Sequence, residues 1–421
     1  MWGQPPRLSC RAKPGSCPSQ NPSHSDPFNA GATPSVDRFR LACGNSADVC
    51  ARETKLAQTI CQNEQGGGES KARHRIRLGL DLSFAAQVIA VIRSINSKAL
   101  VAVSSLVLAL TFHDSANQTF AAWHRVSDIP VISPRGDGWE SAGTFNPAVV
   151  VRDGKIVMLY RAQDKQGTSR LGYAESSDGL KFARRAEPVL SPLEDYEKDG
   201  GVEDPRLVQF NGTYYLTYTG YNKKDAQLCL ATSKDLIHWQ RKGVILPAYK
   251  GHWNVKWTKS GAIVPEKIDG KYWMYFLGTS ADNRDQTGLA SSTDLIHWTE
   301  VTDSPVLPVR AGQFDSRVAE PGPAPLVTST GIVLIYNGAD DKLVYRTGIA
   351  VFDPHDPRHL ISRSDQPVFA PEKDWEKIGQ VPNVVFVEGM VQKRDKRNDR
   401  YLFYYGGADK YVGVAETSLN H

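Results

Sequence analysis

From Trp123 onward the chain alternates short apolar, aromatic-rich runs with turn residues, and the alternation repeats. One run follows a turn at Gly154 (KIVMLYRA), Gly212 (TYYLTYTG), Gly270 (KYWMYFLG), Gly331 (IVLIYNGA) and Asp399 (RYLFYYGGA). The first four starts, 154, 212, 270 and 331, are spaced by about 60 residues, and the fifth comes later, after a charged insertion from Lys393 to Asp399. A second run follows each copy: LGYAESSDG, LCLATSKDL, GLASSTDL, TGIAVFDP and VGVAETS. Both runs are rich in β-branched and aromatic residues, with Gly, Asn and Asp between them, which predicts strands and tight turns. No unit carries a helical stripe long enough for a βαβ crossover. A repeat of about 60 residues fits a four-stranded blade, so five copies predict an all-β, five-bladed β-propeller over residues 123–421. Two units continue identically, as Asp235-LIHW and Asp294-LIHW. Trp239 and Trp298 are expected to pack between blades, and His238 and His297 to take no part in chemistry.

The pattern upstream is different. Residues 1–90 are rich in Pro, Ser, Gly, Asn and Arg with little hydrophobic periodicity, a disorder-like composition. Residues 91–122 hold Arg93 and Lys98, an apolar run from Ala99 to Phe112, and small and polar residues ending in Phe120-Ala121-Ala122. A basic start, a short apolar core and a small-residue exit form a signal-peptide pattern, too short for a comfortable membrane span of about 20 residues. Such a leader belongs at an N-terminus, so a true start near Val88 or Val91 is expected, with a periplasmic or secreted product and no stable membrane insertion. The other reading of this segment is a short buried helix. Sequencing the mature N-terminus separates the two.

Composition narrows the partners. Net charge is +4 with no long basic run, which argues against nucleic acid. Five of the six cysteines (Cys10, Cys17, Cys43, Cys50, Cys61) fall early and lack metal-type spacing, so no zinc site is read; Cys229, in an apolar run, reads as a small buried hydrophobe. Oligomeric state is not legible.

A propeller gathers the starts of its inner strands around a central funnel. Polar residues at that phase recur in every unit: Gly143-TFNPAVV with Tyr160-Arg161-Ala162-Gln163-Asp164; Gly200-GVEDPRL; Lys259-SGAIVPEK; Phe314-DSRVAEPGP; and Val381-PNVVFVEG. Asp204, Glu266, Glu320 and Glu388 around one funnel would make a carboxylate-rich cavity. Glycoside cleavage needs two carboxyls with opposite tasks, one protonated and one ionised, and crowding drives such values apart. Arg161 and Arg206 can hold hydroxyls or orient carboxylates. Asp315 and Asn383 join the candidate substrate contacts by their place in the repeat. Competing readings are a turn with a local ion pair for Asp204-Pro205-Arg206, and surface charge for Glu266 and Glu320.

FNPAVV (145–150), LYRAQD (159–164), GVEDPR (201–206), VPEKIDGKY (264–272), FDS with GPAP (314–325), VPNVVF (381–386) and YYGGAD (404–409), in this order, resemble glycoside hydrolase family 130, the mannoside phosphorylases and β-mannosidases. The resemblance implies that Asp204 is the general acid and that Asn146, Arg161, Asp164, Arg206 and Asp409 line a mannose subsite. It implies no metal or organic cofactor. Phosphorylases of the family carry a Lys, a His and an LHRP stretch that make a phosphate site. Here those positions hold Val318, Asn337 and Tyr275-Phe276-Leu277-Gly278, while Glu320 replaces a Gly. Losing cations and gaining a carboxylate suits water rather than a dianion as nucleophile. The expectation is a β-mannosidase acting on mannooligosaccharides, chiefly β-1,2-linked, by a single inverting displacement, with Glu320 as base and Glu266 assisting. The alternatives are a β-mannoside phosphorylase releasing mannose 1-phosphate and a non-catalytic glycan-binding propeller.

Overall fold

A computed structural model describes residues 119–394 and 399–420. The expectations for residues 1–90 and for the leader-like segment up to 118 fall outside the described residues. Among the described residues, twenty-one strands fall into five antiparallel groups along the chain. The inner strands are Gly143–Arg152, Gly201–Phe210, Thr258–Ile263, Val318–Pro321 and Val385–Arg394. The second strands, Lys155–Gln163, Thr213–Tyr221, Tyr272–Thr279, Gly331–Ala339 and Asp399–Gly407, are the repeated aromatic runs. In blades one to four the third strand is followed by an outer strand: Ala183–Arg184, Gln240–Leu246, Thr299–Glu300 and Leu360–Arg363. Blade five takes its outer strand from the start of the domain, where His124–Arg125 pairs antiparallel with Tyr411–Ser418. The fold is a five-bladed β-propeller.

Five hydrophobic clusters occupy the five gaps between neighbouring blades. Leu159 and Leu216 lie in the gap between blades one and two, Met274 and Leu230 between two and three, and Tyr275 and Leu334 between three and four. Val333 and Phe403 lie between four and five, and Met158 and Tyr404 between five and one. The last of these closes the ring. Trp298 is buried between blades two and three, and Trp239 packs at the edge of the first gap, as the repeat predicts. His238 and His297 are solvent-exposed, each beside the Asp three residues before it. Cys229 is buried and free, as read. Phe120, assigned from sequence to the exit of the leader-like segment, sits instead in the gap between blades four and five against Tyr401 and Phe403.

A polar network recurs inside the blades. Ahead of each inner strand stands an aromatic residue followed by a carboxylate or amide: Trp139-Glu140, Tyr196-Glu197, Trp253-Asn254, Phe314-Asp315 and Trp375-Glu376. In four blades a buried second-strand tyrosine donates to that carboxylate and an outer-strand arginine pairs with it. Tyr160 and Arg184 meet Glu140 at 2.9 and 3.0 Å. Tyr218 and Arg241 meet Glu197 at 2.8 and 2.9 Å. Tyr336 and Arg363 meet Asp315 at 2.8 and 2.6 Å. Tyr405 and Arg125 meet Glu376 at 2.8 and 2.7 Å. In blade three all three parts change together: Phe276 has no hydroxyl, Glu300 stands on the outer strand, and Asn254 turns its amide nitrogen to both Glu300 oxygens at 3.0 Å.

Removing one partner of such a buried pair strands a charge, at a cost of about 3–5 kcal/mol. Arg125→Ala should therefore lower unfolding stability by about that amount in urea titrations, because it breaks the blade-five network and the ring closure together. Lys155→Ala, at an exposed pair with Glu175, should change it by less than about 1 kcal/mol. Equal losses in the two variants would contradict this reading.

Candidate active site

The inner strands do not run straight to the funnel. Four of them shift register at the same phase: between Phe145 and Pro147, Glu203 and Arg206, Lys259 and Ala262, and Val387 and Gly389. A bulge inserts an extra residue and re-aims its side chain. At three of these bulges the extra residue is not glycine yet lies in the left-handed region: Asn146 (φ 48°), Asp204 (φ 50°) and Ser260 (φ 58°). Such backbone costs of order 1 kcal/mol or more per residue and persists only where the surroundings impose it.

Two guanidinium groups organise the buried side chains there. Arg161, over the Phe145 ring at 4.7 Å, divides itself between Glu203 (2.5 Å) and Asp204 (3.0 Å), while its Nε donates to Ser169 Oγ (3.0 Å). Ser169 in turn donates to Glu203 (2.9 Å). Arg206 donates to the carbonyls of Gly322 (2.8 Å), Pro321 (2.6 Å) and Asp204 (3.2 Å), and its Nη1 lies 2.9 Å from Glu388 Oε1. Asn146 donates to the other Glu388 oxygen, and Ser260 donates to Glu320. Asp204, Glu203, Glu320 and Glu388 are all at least 95% buried. Burial pushes the carboxyls of Glu203, Glu320 and Glu388 above the usual carboxylate range, and each rises further when Asp204 is ionised. Arg161 and Lys259 oppose this at Glu203, Lys259 and Arg206 at Glu320, and Arg206 at Glu388.

The sequence-chosen residues separate into groups. Asn146, Arg161, Asp204, Arg206 and Glu320 come together in this cluster, and Asp409 (φ 49°) lies close enough for its charge to act on Arg161. Asn383 (φ 60°) stands just before the inner strand of blade five, its carbonyl accepting from Tyr345 N at 3.0 Å. Asp164 is committed to a turn: it accepts from Gln166 N and Thr168 N and pairs with Arg170 at 2.7 Å. Asp340 with Arg346 repeats this device in blade four. Asp315, read as a substrate contact, is instead the carboxylate of the blade-four network, held by Tyr336, Arg310 and Arg363 with no exposed surface. Glu266, read as assisting the base, is exposed and stands beyond the end of its inner strand. It lines a cavity of about 320 Å³ away from Ser260 and Glu320.

Four members of the cluster were passed over from sequence: Ser169, Glu203, Lys259 and Ser260. The signal was available in the repeat, because Lys259-Ser260 occupies in blade three the bulge that Glu203-Asp204 occupies in blade two. Asn337, at the position where a phosphorylase pattern has His, is fully buried and exchanges hydrogen bonds with the Val387 backbone (2.9 and 2.8 Å). It clamps blade four to the inner strand that carries Glu388.

Glu203, Glu320 and Glu388 hold protons more tightly in the folded chain than in the unfolded one. Their contribution to stability is full below the ordinary carboxylate range and is lost as pH rises through each raised value. Glu320→Gln cannot ionise, so it should gain thermal stability over the parent as pH rises from about 4 to about 8, with no gain in acid. A melting-temperature gap that stays constant with pH would refute this.

Comparison with known proteins gives this cluster a context. The profile of a family described as beta-1,4-mannooligosaccharide phosphorylase matches residues 126–421. The 1,2-beta-oligomannan phosphorylase of Thermoanaerobacter sp. (strain X514) is 41% identical over 303 residues, covering 69% of this chain and 95% of that one. A solved structure reported under the statement that the family of mannoside phosphorylases contains glycoside hydrolases targeting beta-1,2 mannosidic linkages in Candida mannan is 38% identical. Its TM-score is 0.64, with 70% of this chain and 94% of that one covered. The Listeria innocua beta-1,2-mannobiose phosphorylase, solved with beta-1,2-mannobiose, is 25% identical with a TM-score of 0.61, covering 70% and 96%. The names of these relatives favour the phosphorolytic alternative over the hydrolytic expectation. The match over residues 126–421, with the propeller and its funnel cluster, makes this chain a member of glycoside hydrolase family 130.

Proposed function

We propose that this protein hydrolyses β-1,2-linked mannooligosaccharides, with Asp204 as proton donor and Glu320 as the base that activates water. That it is an enzyme acting on β-mannosides follows from its family and its relatives; the choice of water as acceptor rests on the charge inventory of the funnel. Arg161 is engaged by Glu203, Asp204 and Ser169, and Arg206 by three carbonyls and Glu388. Neither guanidinium is left to cage a phosphate dianion, and whichever of the four buried carboxyls are ionised would repel one. Glu320, with its proton affinity raised and Ser260 fixing one oxygen, is suited to take a proton from water near the working pH.

In this scheme Asp204, held on its bulge by Arg161, gives its proton to the glycosidic oxygen as the bond breaks. Water attacks the anomeric carbon from the other face and passes its proton to Glu320, inverting the centre. Asn146, Arg161, Arg206 and Asp409 surround the sugar. The scheme asks for no cofactor. Export to the periplasm or medium is part of the proposal and rests on the leader-like sequence alone.

Phosphorolysis is the second reading. It is favoured by the phosphorylase names of the curated relatives and by Lys259, a cation buried beside Glu203 and Glu320.

Incubation with β-1,2-mannobiose, with and without orthophosphate, decides between them. Free mannose without phosphate is the expected product; mannose 1-phosphate formed only with phosphate would overturn hydrolysis, and binding without turnover would leave a lectin. Asp204→Asn and Glu320→Gln should each reduce turnover by at least about 100-fold, and Glu266→Gln by less than about threefold. The reverse order for the two glutamates would move the base to Glu266. Because Glu320 must be ionised to act, the low-pH limb of activity should lie above the ordinary glutamate value of about 4.3.

A further inference from the structure

The cavity that Glu266 lines has an origin in the topology. Val149, Leu207, Glu266 and Gln392 lie downstream of the bulges in their own blades, and Ala324 lies beyond the end of the inner strand of blade four, so every blade contributes to its wall. The cavity is therefore the rear of the central funnel, on the opposite side of the bulges from the strand starts. Its volume of about 320 Å³ has room for several waters, and Glu266 marks an exposed rim.

One member of the buried cluster also forms part of that wall: Glu388. It is 1% exposed, and its Oε1, although 2.9 Å from Arg206 Nη1, has no donor aligned on it. Arg206 and Asn146 face it from blades two and one, and the charges of Asp204 and Glu320 act on it. No step of the scheme above uses this carboxyl.

Hydrolysis leaves the site needing such a group, and the inference rests on that reading. After one turnover Asp204 has lost a proton to the leaving oxygen and Glu320 has gained one from water. No proton is consumed overall, yet the enzyme cannot react again until one leaves Glu320 and one returns to Asp204. Both are buried, and product sugar covers the front of the funnel.

The geometry points to Glu388 as a proton-exchange port, which resets Asp204 and Glu320 between turnovers through water standing in the rear cavity. A carboxyl that burial keeps protonated more readily than usual can lend a proton and reclaim one from that water. The rear path needs no departure of the sugar.

The test separates the first bond cleavage from the reset. With Glu388→Gln, the single-turnover rate on β-1,2-mannobiose without phosphate should fall by a smaller factor than steady-state turnover. Steady-state kcat should fall by at least about tenfold, with a larger solvent deuterium isotope effect. Ala324→Phe, which fills the cavity and leaves Glu388 intact, should give the same split and carries the test if the glutamine variant does not fold. Parallel losses in both rates would mark Glu388 as a positioning group only and overturn the port. An unchanged kcat would overturn it too. Parent enzyme inert until phosphate is added would remove the hydrolytic reading itself, a result distinct from either.

Discussion

The propeller depends on a contact that ties three strands of a blade at one point. A tyrosine hydroxyl on the second strand, a carboxylate ahead of the inner strand and an arginine on the outer strand meet within 3.0 Å in four of the five blades. Aromatic residues fill the gaps between blades but set no register. The carboxylate does, because its position fixes where the inner strand begins and hence where the bulge falls. In blade five the arginine is Arg125, from the far end of the domain, so the same contact also completes the ring. A buried pair of this kind adds little net stability over an apolar filling, but it penalises misplacement heavily. Blade three meets the same demand with a neutral amide and a reversed charge, since Asn254 and Glu300 stay complementary where Phe276 offers no hydroxyl.

Much of the architecture was legible because it is written in repetition. The aromatic runs gave the blade count, and the polar residues at one phase gave the funnel. The misreadings have a common cause. Phe314-Asp315 stood out as a family motif, but its carboxylate belongs to a second, quieter repeat of an aromatic followed by an acid or amide at 139, 196, 253, 314 and 375. Asp164 likewise recurs as Asp340, each capping a turn. Glu266 reads as a funnel carboxylate by its place in the repeat, yet it stands beyond the end of its inner strand, past the buried cluster. Whether a side chain sits before or after a one-residue bulge is not visible in period-two reasoning, and the bulge decides which residue reaches the funnel.

The cluster also concentrates cost. Asn146, Asp204 and Ser260 hold backbone conformations that non-glycine residues avoid, and Glu203, Glu320 and Glu388 hold carboxyls in surroundings that disfavour their charge. The blades that carry them are rigid, with inter-blade gaps filled by fully buried Leu, Met, Phe and Tyr side chains. That rigidity keeps strained residues in place, as expected where stability is exchanged for chemistry.

The closing strand has a consequence for how the molecule is made. His124–Arg125 leaves the ribosome before the other strands of the domain, while its partner Tyr411–Ser418 emerges after them. Blades one to four can form in order during synthesis from near neighbours in the chain, but the ring stays open until the last blade has been made. Until then the flank of blade one that will meet Val391, Leu402 and Tyr404 lies uncovered. The final step brings together segments separated by almost the whole domain, the slowest sort of contact to find. Nascent chains stalled before the last blade should be the species that chaperones or proteases meet.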